Sequence, residues 1–257
     1  MGSSGANRKR RKGKAAAGAY RADLAHIHDA GFGSFAVAAA QELLAMLRAQ
    51  GLRAGLVVDL GCGSGILAEA VTKAGYDLLG FDISADMIEL ARRRAPRATF
   101  RHASTLDAAI PPCIAVTSIG EVFNYLFDPR RSLARLAKLF AGVHRALRPG
   151  GFFLFDAALV GRVPKGKRRS YAEMDGWACL YEAEEDPRAK LLTRRITTFR
   201  RQGEAYRRDV EVHKLRLFER RELLDPLRRL GFRVRTLRRY ADVKFPAGYL
   251  GFVARKD

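Results

Sequence analysis

The stretch Val57-Val58-Asp59-Leu60-Gly61-Cys62-Gly63-Ser64-Gly65, with Phe81-Asp82-Ile83-Ser84 downstream of it, constrains this chain more than any other segment. An apolar run of strand length, Leu56 to Leu60, ends in three glycines spaced by single residues. Such a turn adopts positive φ and lets backbone approach a ligand with no Cβ in the way. Ile66 to Ala74 reads as a helix stopped by Gly75. Tyr76 to Phe81 reads as the next strand, with Asp82 at its carboxyl end, where a carboxylate can accept two hydrogen bonds from ribose hydroxyls. Strand, glycine turn, helix, strand and acid describe an open α/β sheet with an adenosine-containing cofactor beyond the carboxyl ends of its strands.

The spacing narrows the cofactor. A dinucleotide site takes G-x-G-x-x-G, and here Ile66 stands in the place of the third glycine. No Lys-Ser or Lys-Thr follows, which excludes a phosphate-cradling P-loop. Asp59, ahead of the turn, suits a cationic cofactor better than a phosphate, and S-adenosylmethionine carries a sulfonium and an ammonium. On these residues the chain resembles the class I S-adenosylmethionine-dependent methyltransferases. Their first motif matches Val57 to Gly65, and their second-strand acid matches Asp82.

Carried over position by position, the resemblance implies S-adenosylmethionine as cofactor and S-adenosylhomocysteine as product. It implies that Gly61, Cys62 and Gly63 contact the methionyl part through backbone, and that Asp59 orients that loop or the ammonium. Asp82 holds the ribose hydroxyls, and Ile83 and Met87 pack on the adenine. The family's third-strand acid falls on Ser104, with Thr105 next to it, so a hydroxyl stands where a carboxylate is usual. Gly120, after the fourth strand, permits close backbone approach.

The rest of the chain fits an α/β reading. Ala98–Arg101, Ile114–Ile119 and Phe152–Phe155 are short apolar strands. Ser84 is placed to cap a helix through Arg94, and Pro129 to Leu147 reads as a long helix closed by Arg148-Pro149-Gly150-Gly151. Tyr20 to Leu47 reads as helical with a break at Ala30-Gly31-Phe32-Gly33. After Asp156, a basic link from Gly161 to Ser170 leads into three alternating runs, Trp177–Glu182, Leu191–Arg200 and Tyr206–Phe218, which predict an antiparallel three-strand meander. Glu222–Leu230 is helical, and Phe232–Leu237 and Tyr249–Ala254 are closing strands, matching the antiparallel ending of the resembled family. The expected fold is a doubly wound, mostly parallel seven-stranded sheet with an antiparallel final strand and a small antiparallel β insertion. The expected division is a disordered basic tail over 1–19, helices and cofactor core over 20–156, a β lid over 157–218, and a helix and strands completing the sheet over 219–257.

Composition excludes several classes. At 48% hydrophobic residues the 257-residue chain has enough for a full core, yet no run of eighteen apolar residues and no leader-like apolar segment. Cys62, Cys113 and Cys179 are odd in number and widely spaced, which points to a reducing, cytoplasmic setting without disulfides, and no cysteine–histidine cluster points to a metal. The net charge of +20 is uneven: Arg8 to Lys14 holds six basic residues and no acid, and Arg188 to Asp257 holds 21 basic and 8 acidic residues. A solvated basic surface is favoured over nucleic-acid binding, and no membrane partner is expected.

Methyl transfer from a sulfonium is an in-line displacement that mainly needs alignment and exclusion of water. A general base is needed only where the acceptor must lose a proton first. Candidates for that side are Glu121, Tyr20, His28 and His213, with Asn124 and Tyr125 in the pocket wall. Glu121, in Ser118-Ile119-Gly120-Glu121, reads equally as a cofactor or acceptor carboxylate and as a structural acid bonding backbone amides. Tyr20 to Phe32 resembles the N-terminal helix of small-molecule methyltransferases of this class, which puts Tyr20 and His28 on the acceptor side and Phe32 in the lid. Glu211 and His213 share a strand face, and the pocket is the preferred side for His213. The leading expectation is methyl transfer to a nitrogen or oxygen of a small molecule. An RNA- or protein-modifying enzyme docking through the basic C-terminal third stands second, and a non-catalytic S-adenosylmethionine-binding protein third.

Overall fold

The computed structural model describes residues 19–257. The tail expected over 1–19 lies outside the described residues, apart from Ala19. Two helices come first, α1 (Ala22–Gly31) and α2 (Ser34–Ala49). Strands and helices then alternate through β1 (Leu56–Leu60), α3 (Ile66–Lys73), β2 (Asp77–Asp82), α4 (Ala85–Arg94), β3 (Thr99–His102), β4 (Cys113–Ser118), α5 (Leu133–Ala146) and β5 (Leu147–Ala158). Four strands follow without a helix: β6 (Lys167–Met174), β7 (Trp177–Asp186), β8 (Leu191–Gln202) and β9 (Ala205–Arg216). The chain closes with α6 (Arg220–Arg229), β10 (Phe232–Leu237), the hairpin β11 (Arg239–Tyr240) and β12 (Val243–Lys244), and β13 (Tyr249–Lys256). No helix among the described residues is long and apolar enough to cross a membrane by itself.

The main sheet has seven strands in the order β10-β13-β5-β4-β1-β2-β3, and β13 alone runs antiparallel to its neighbours. Side-chain alternation sorts the core into two faces. Val58 and Leu60 of β1 join α5 and α6 through Phe140, Val143 and Leu227, while Val57 joins α2, α3 and α4 through Leu43, Val71 and Ile88. Both faces are covered, so central strands read as continuous apolar runs; every residue of β4 is buried. Phe123, Phe140, Phe153 and Phe155 pack against one another with centroids 4.6–6.0 Å apart. Burying one such ring stabilises the fold by about 2 kcal/mol. The chain leaves β1 for β2 on one side and returns to β4 on the other. That reversal opens a crevice beyond the carboxyl ends of β1 and β4.

Several elements depart from the sequence expectation. The second sheet has four strands, β6-β7-β8-β9, where three were expected. The stretch read as part of a basic link supplies β6, whose residues are nearly all exposed; an edge strand with charges on it shows no apolar alternation. The helix expected from Pro129 starts at Leu133. Asp128 accepts the N–H of Arg130 (2.9 Å) in a local turn, and Ser132 caps the helix through the N–H of Arg135 (3.2 Å). Arg148 to Gly151, read as a turn, lies inside β5, where Gly150 at φ +78° accommodates a register shift against β4.

Candidate active site

The glycine turn is tied to the strand beside it. Gly61 and Cys62 donate their N–H groups to the carbonyl of Phe81 at 2.7 and 2.9 Å. Asp82 then clamps both sides of the crevice: Oδ2 accepts the N–H of Gly63 (2.9 Å) and Oδ1 that of Ser84 (2.8 Å). Gly65 adopts φ +81°, and a Cβ there would stand 2.9 Å from the Cα of Ala91, so only glycine lets the turn lie on α4. Gly63, at φ +52°, faces open space.

A groove of about 130 Å³ starts at this turn. Gly61, Gly63, Asp82, Ile83 and Met87 line one part of it, and Ser104, Thr105 and Gly120 another. Asp59, expected to orient the loop or the ammonium, and Cys62, expected to act through backbone, do not line the groove. Asp59 is buried under the turn and accepts the Thr117 hydroxyl across the β1–β4 pair at 2.6 Å. Burial pushes its carboxyl up to about 6, with the nearby charge of Asp82 adding to the effect. Cys62 turns its side chain toward Gly80 in the core, so its thiol does not reach the groove. Sequence reasoning missed Asp128 and Arg131 among the groove residues, because Arg131 falls in a segment read as helix and Asp128 just ahead of it. Asp128 accepts the Ser104 hydroxyl at 2.6 Å, and Arg130 beside it holds its carboxyl well below the usual range. Arg131 donates to Thr105 Oγ1 (3.1 Å), and its Nε and Nη1 are buried without partners.

A second cavity, about 470 Å³, adjoins the groove. Tyr20, His28, Gly120 and Tyr125 line both, so the two spaces meet there. Phe32, Phe35, Glu121, Tyr181 and Tyr249 extend the wall of the second cavity. Arg162, Arg168 and Arg194 also line it. Tyr20 and Tyr125 share a phenol–phenol hydrogen bond of 2.8 Å, and Arg194 donates to the Tyr125 oxygen at 3.2 Å. Burial raises both phenols above their ordinary values, so both are protonated at neutral pH. His28 is pushed down to about 4 by burial and is a neutral imidazole at neutral pH; its Nδ1 has no partner.

Glu121, at φ +61°, bonds no backbone amide through its carboxylate among the described residues; its partners are guanidiniums. Arg194 Nη2 lies 2.5 Å from one of its oxygens and Arg162 Nε 3.1 Å from the other. Burial alone would raise this carboxyl, but the two guanidiniums outweigh it and hold it below its ordinary value. The backbone role belongs to Asp156 at the end of β5. It accepts the N–H groups of Gly120 and Glu121 and the hydroxyls of Tyr240 and Tyr249. Asn124 does not line either cavity. Its side chain bonds Ala158 N–H and the carbonyls of Ala158 and Arg216, stitching β5 to β9.

His213 stands one layer back. Its Nε2 is 2.9 Å from Glu211, which also accepts the Arg21 N–H, and its ring packs 5.1 Å from Tyr20 and 4.8 Å from Phe127. It faces inward but lines neither cavity. Trp177 packs in the core with Leu24 and Ile27. The segment Tyr20–Phe32 is stapled to both sides. Ser84 donates to the Tyr20 carbonyl (3.0 Å) and Arg94 pairs with Asp29 on the core side. Arg21 pairs with Asp209 (2.7 Å), and Arg200 and Arg207 pair with Asp23, on the side of the second sheet.

Residues 57–151 match the family model described as "Methyltransferase domain". The chain is 33% identical to a ubiquinone biosynthesis O-methyltransferase of Pectobacterium carotovorum over 42% of its own length and 45% of that protein's, so it spans less than half of that relative. It is 26% identical to the dTDP-3-amino-3,4,6-trideoxy-alpha-D-glucopyranose N,N-dimethyltransferase of Streptomyces venezuelae over 85% of its length and 93% of the relative's. The fold superposes on an S-adenosylmethionine-dependent methyltransferase from Clostridium acetobutylicum with a TM-score of 0.76 at 19% identity, covering 91% of this chain and 97% of the other.

Proposed function

We propose that this chain, which carries a class I S-adenosylmethionine-dependent methyltransferase domain, transfers the methyl group to a nitrogen or oxygen of a small molecule. One observation carries the reading: the glycine-turn groove and the 470 Å³ cavity meet at Tyr20, His28, Gly120 and Tyr125. A cavity of that size accommodates a small acceptor. In this reading residues 157–218, with the sheet β6–β9, act as a lid over the helices and cofactor core of residues 20–156, and residues 219–257 complete the core sheet.

The groove's donor set fits the cofactor. Gly63 leaves open space where any other residue would place a Cβ. Asp82 is assigned the ribose hydroxyls: each oxygen holds one backbone N–H and keeps lone-pair capacity. Ile83 and Met87 supply an apolar plate for the adenine. Asp128, with Ser104, supplies the acceptor that the third strand lacks. Gly61, Gly63 and Gly120 line the methionyl side. Asp59 and Cys62 act from below, by holding the turn. When bound, the cofactor supplies a methyl group on a sulfonium that a nucleophile displaces in line.

The chain's own residues do the rest. His28 is assigned as the proton acceptor, because its ring is neutral and lines both the groove and the cavity. A general base contributes on the order of 10²–10⁴ in rate when the acceptor must shed a proton, and a ring that gains its proton only near 4 stands at the low end of that range. Tyr20 and Tyr125 stay protonated and orient the acceptor by hydrogen bonds. Glu121 and His213 are positioning residues, the first through Arg194 and Arg162, the second behind the Tyr20 ring. The three free, buried cysteines fit a reducing, cytoplasmic compartment. Turnover of a small acceptor should survive in wild type and drop by about a hundredfold or more in His28→Ala. Unchanged turnover would remove His28 from the reaction.

A further inference from the structure

The cavity beside the groove holds three guanidiniums, from Arg162, Arg168 and Arg194, and one carboxylate, Glu121, among its described lining residues. Glu121 takes both Arg194 and Arg162. The wall therefore keeps a surplus of positive charge.

Strand register separates this surplus from the basic background of the chain. On β6, Lys167 and Arg169 look to one face of the sheet, and each meets an acid directly across on β7. Lys167 Nζ is 3.2 Å from Glu184, and Arg169 Nε is 2.9 Å from Glu182. Arg168 between them looks to the cavity face, stands opposite Ala183 and has no acidic partner among the described residues. The same cross-strand row continues from Ala183 to Arg194 on β8. Arg168 and Arg194 thus flank one small side chain, about 10 Å apart at the backbone by the spacing of paired strands. Arg194 is only 6% exposed, and its Nε is buried without a hydrogen-bond partner. An apolar molecule in the cavity would dehydrate the unpaired Arg168 and return nothing. An anion would take charge-assisted, forked hydrogen bonds from Arg168 and be drawn by the charge that Arg162 and Arg194 keep in excess of Glu121.

Resting on the methyltransferase reading, we propose that the acceptor is an anionic small molecule. Its phosphate or carboxylate docks on Arg168, Arg162 and Arg194, and its nucleophile lies toward His28. Calorimetry on the full chain, with and without S-adenosylhomocysteine, tests this with inorganic pyrophosphate and citrate as probes. At least one binds saturably at about millimolar concentration or below. Its affinity falls about tenfold in Arg168→Gln and is unchanged in Arg169→Gln, whose side chain faces away. Preference for pyrophosphate assigns a phosphorylated acceptor, and preference for citrate a carboxylate. The proposal is overturned if neither probe binds, if Arg168→Gln leaves binding intact, or if Arg169→Gln weakens it equally. S-adenosylhomocysteine binding without anion binding removes only the cradle. Anion binding that needs Arg168, in a protein that ignores S-adenosylhomocysteine, removes only the methyltransferase reading.

Discussion

Asp156 ties down four groups at once: two backbone N–H groups after β4 and two tyrosine hydroxyls from the end of the chain. Burial pushes it up to about 6. Asp156→Ala strands four donors, of which the Glu121 N–H and the Tyr240 hydroxyl are buried, and each unmet buried donor costs about 1–3 kcal/mol. A loss of about 3 kcal/mol or more in urea unfolding is expected, and a loss under 1 kcal/mol would show that the turn holds itself. His28 carries a different prediction. Its folded value lies near 4, below the ordinary histidine, so between about 6.5 and 4 the unfolded chain binds the proton first. Stability from the neutral ring is therefore complete above about 6.5 and falls as pH drops toward 4. By proton NMR the signal missing in His28→Ala should titrate near 4; titration near 6.5 would place the ring in water. At this scale the sequence shows what is local. Val57 to Gly65 and Asp82 are legible because strand, turn and acid are neighbours in the chain. Asp156 is not, because its partners lie 35 to 93 residues away. Arg162, Arg168 and Arg194 read as ordinary surface charge in a chain with 47 basic residues.

Helix α1 is held by ion pairs more than by its own sequence. Asp23 is buried, and its hydrogen bonds from Arg207 and Arg200 hold its carboxyl below the usual range despite burial. A depressed carboxylate stabilises above its unfolded value, about 3.9, and loses that contribution as pH falls through the folded value. Docking of α1 should therefore loosen only below about pH 4, seen as faster amide exchange over residues 22–31. Trp177, the single tryptophan, reports the same contact. A Cβ on Gly31 would stand 2.6 Å from its ring. Gly31→Ala gains about 1 kcal/mol of helix propensity. It costs about 1–3 kcal/mol of overpacking, so the net effect is destabilising, with shifted Trp177 fluorescence. An unshifted spectrum would contradict the packing. Strands with apolar alternation, β7 to β9, were legible as elements. Strand β6 was not, because it pairs through backbone while showing water a row of charges.

Across the whole molecule, a doubly wound sheet supplies the crevice and a second, antiparallel sheet with α1 stands over it. The order of elements foretold the first, since βαβ alternation and an antiparallel ending leave few topologies. The sequence could not foretell which side chains the second sheet turns inward, because a one-residue change of register exchanges its faces. On β6 the positive charge splits accordingly: Lys167 and Arg169 face outward and meet acids, while Arg168 faces the cavity with no acid beside it among the described residues. Everything assigned to the acceptor side depends on the groove taking S-adenosylmethionine through Asp82. Calorimetric titration of S-adenosylmethionine into the wild-type chain and Asp82→Ala tests that directly. One saturable site is predicted in the wild type, weakened at least about tenfold in Asp82→Ala. No binding at about 1 mM ligand, or equal affinity in the two proteins, would contradict it.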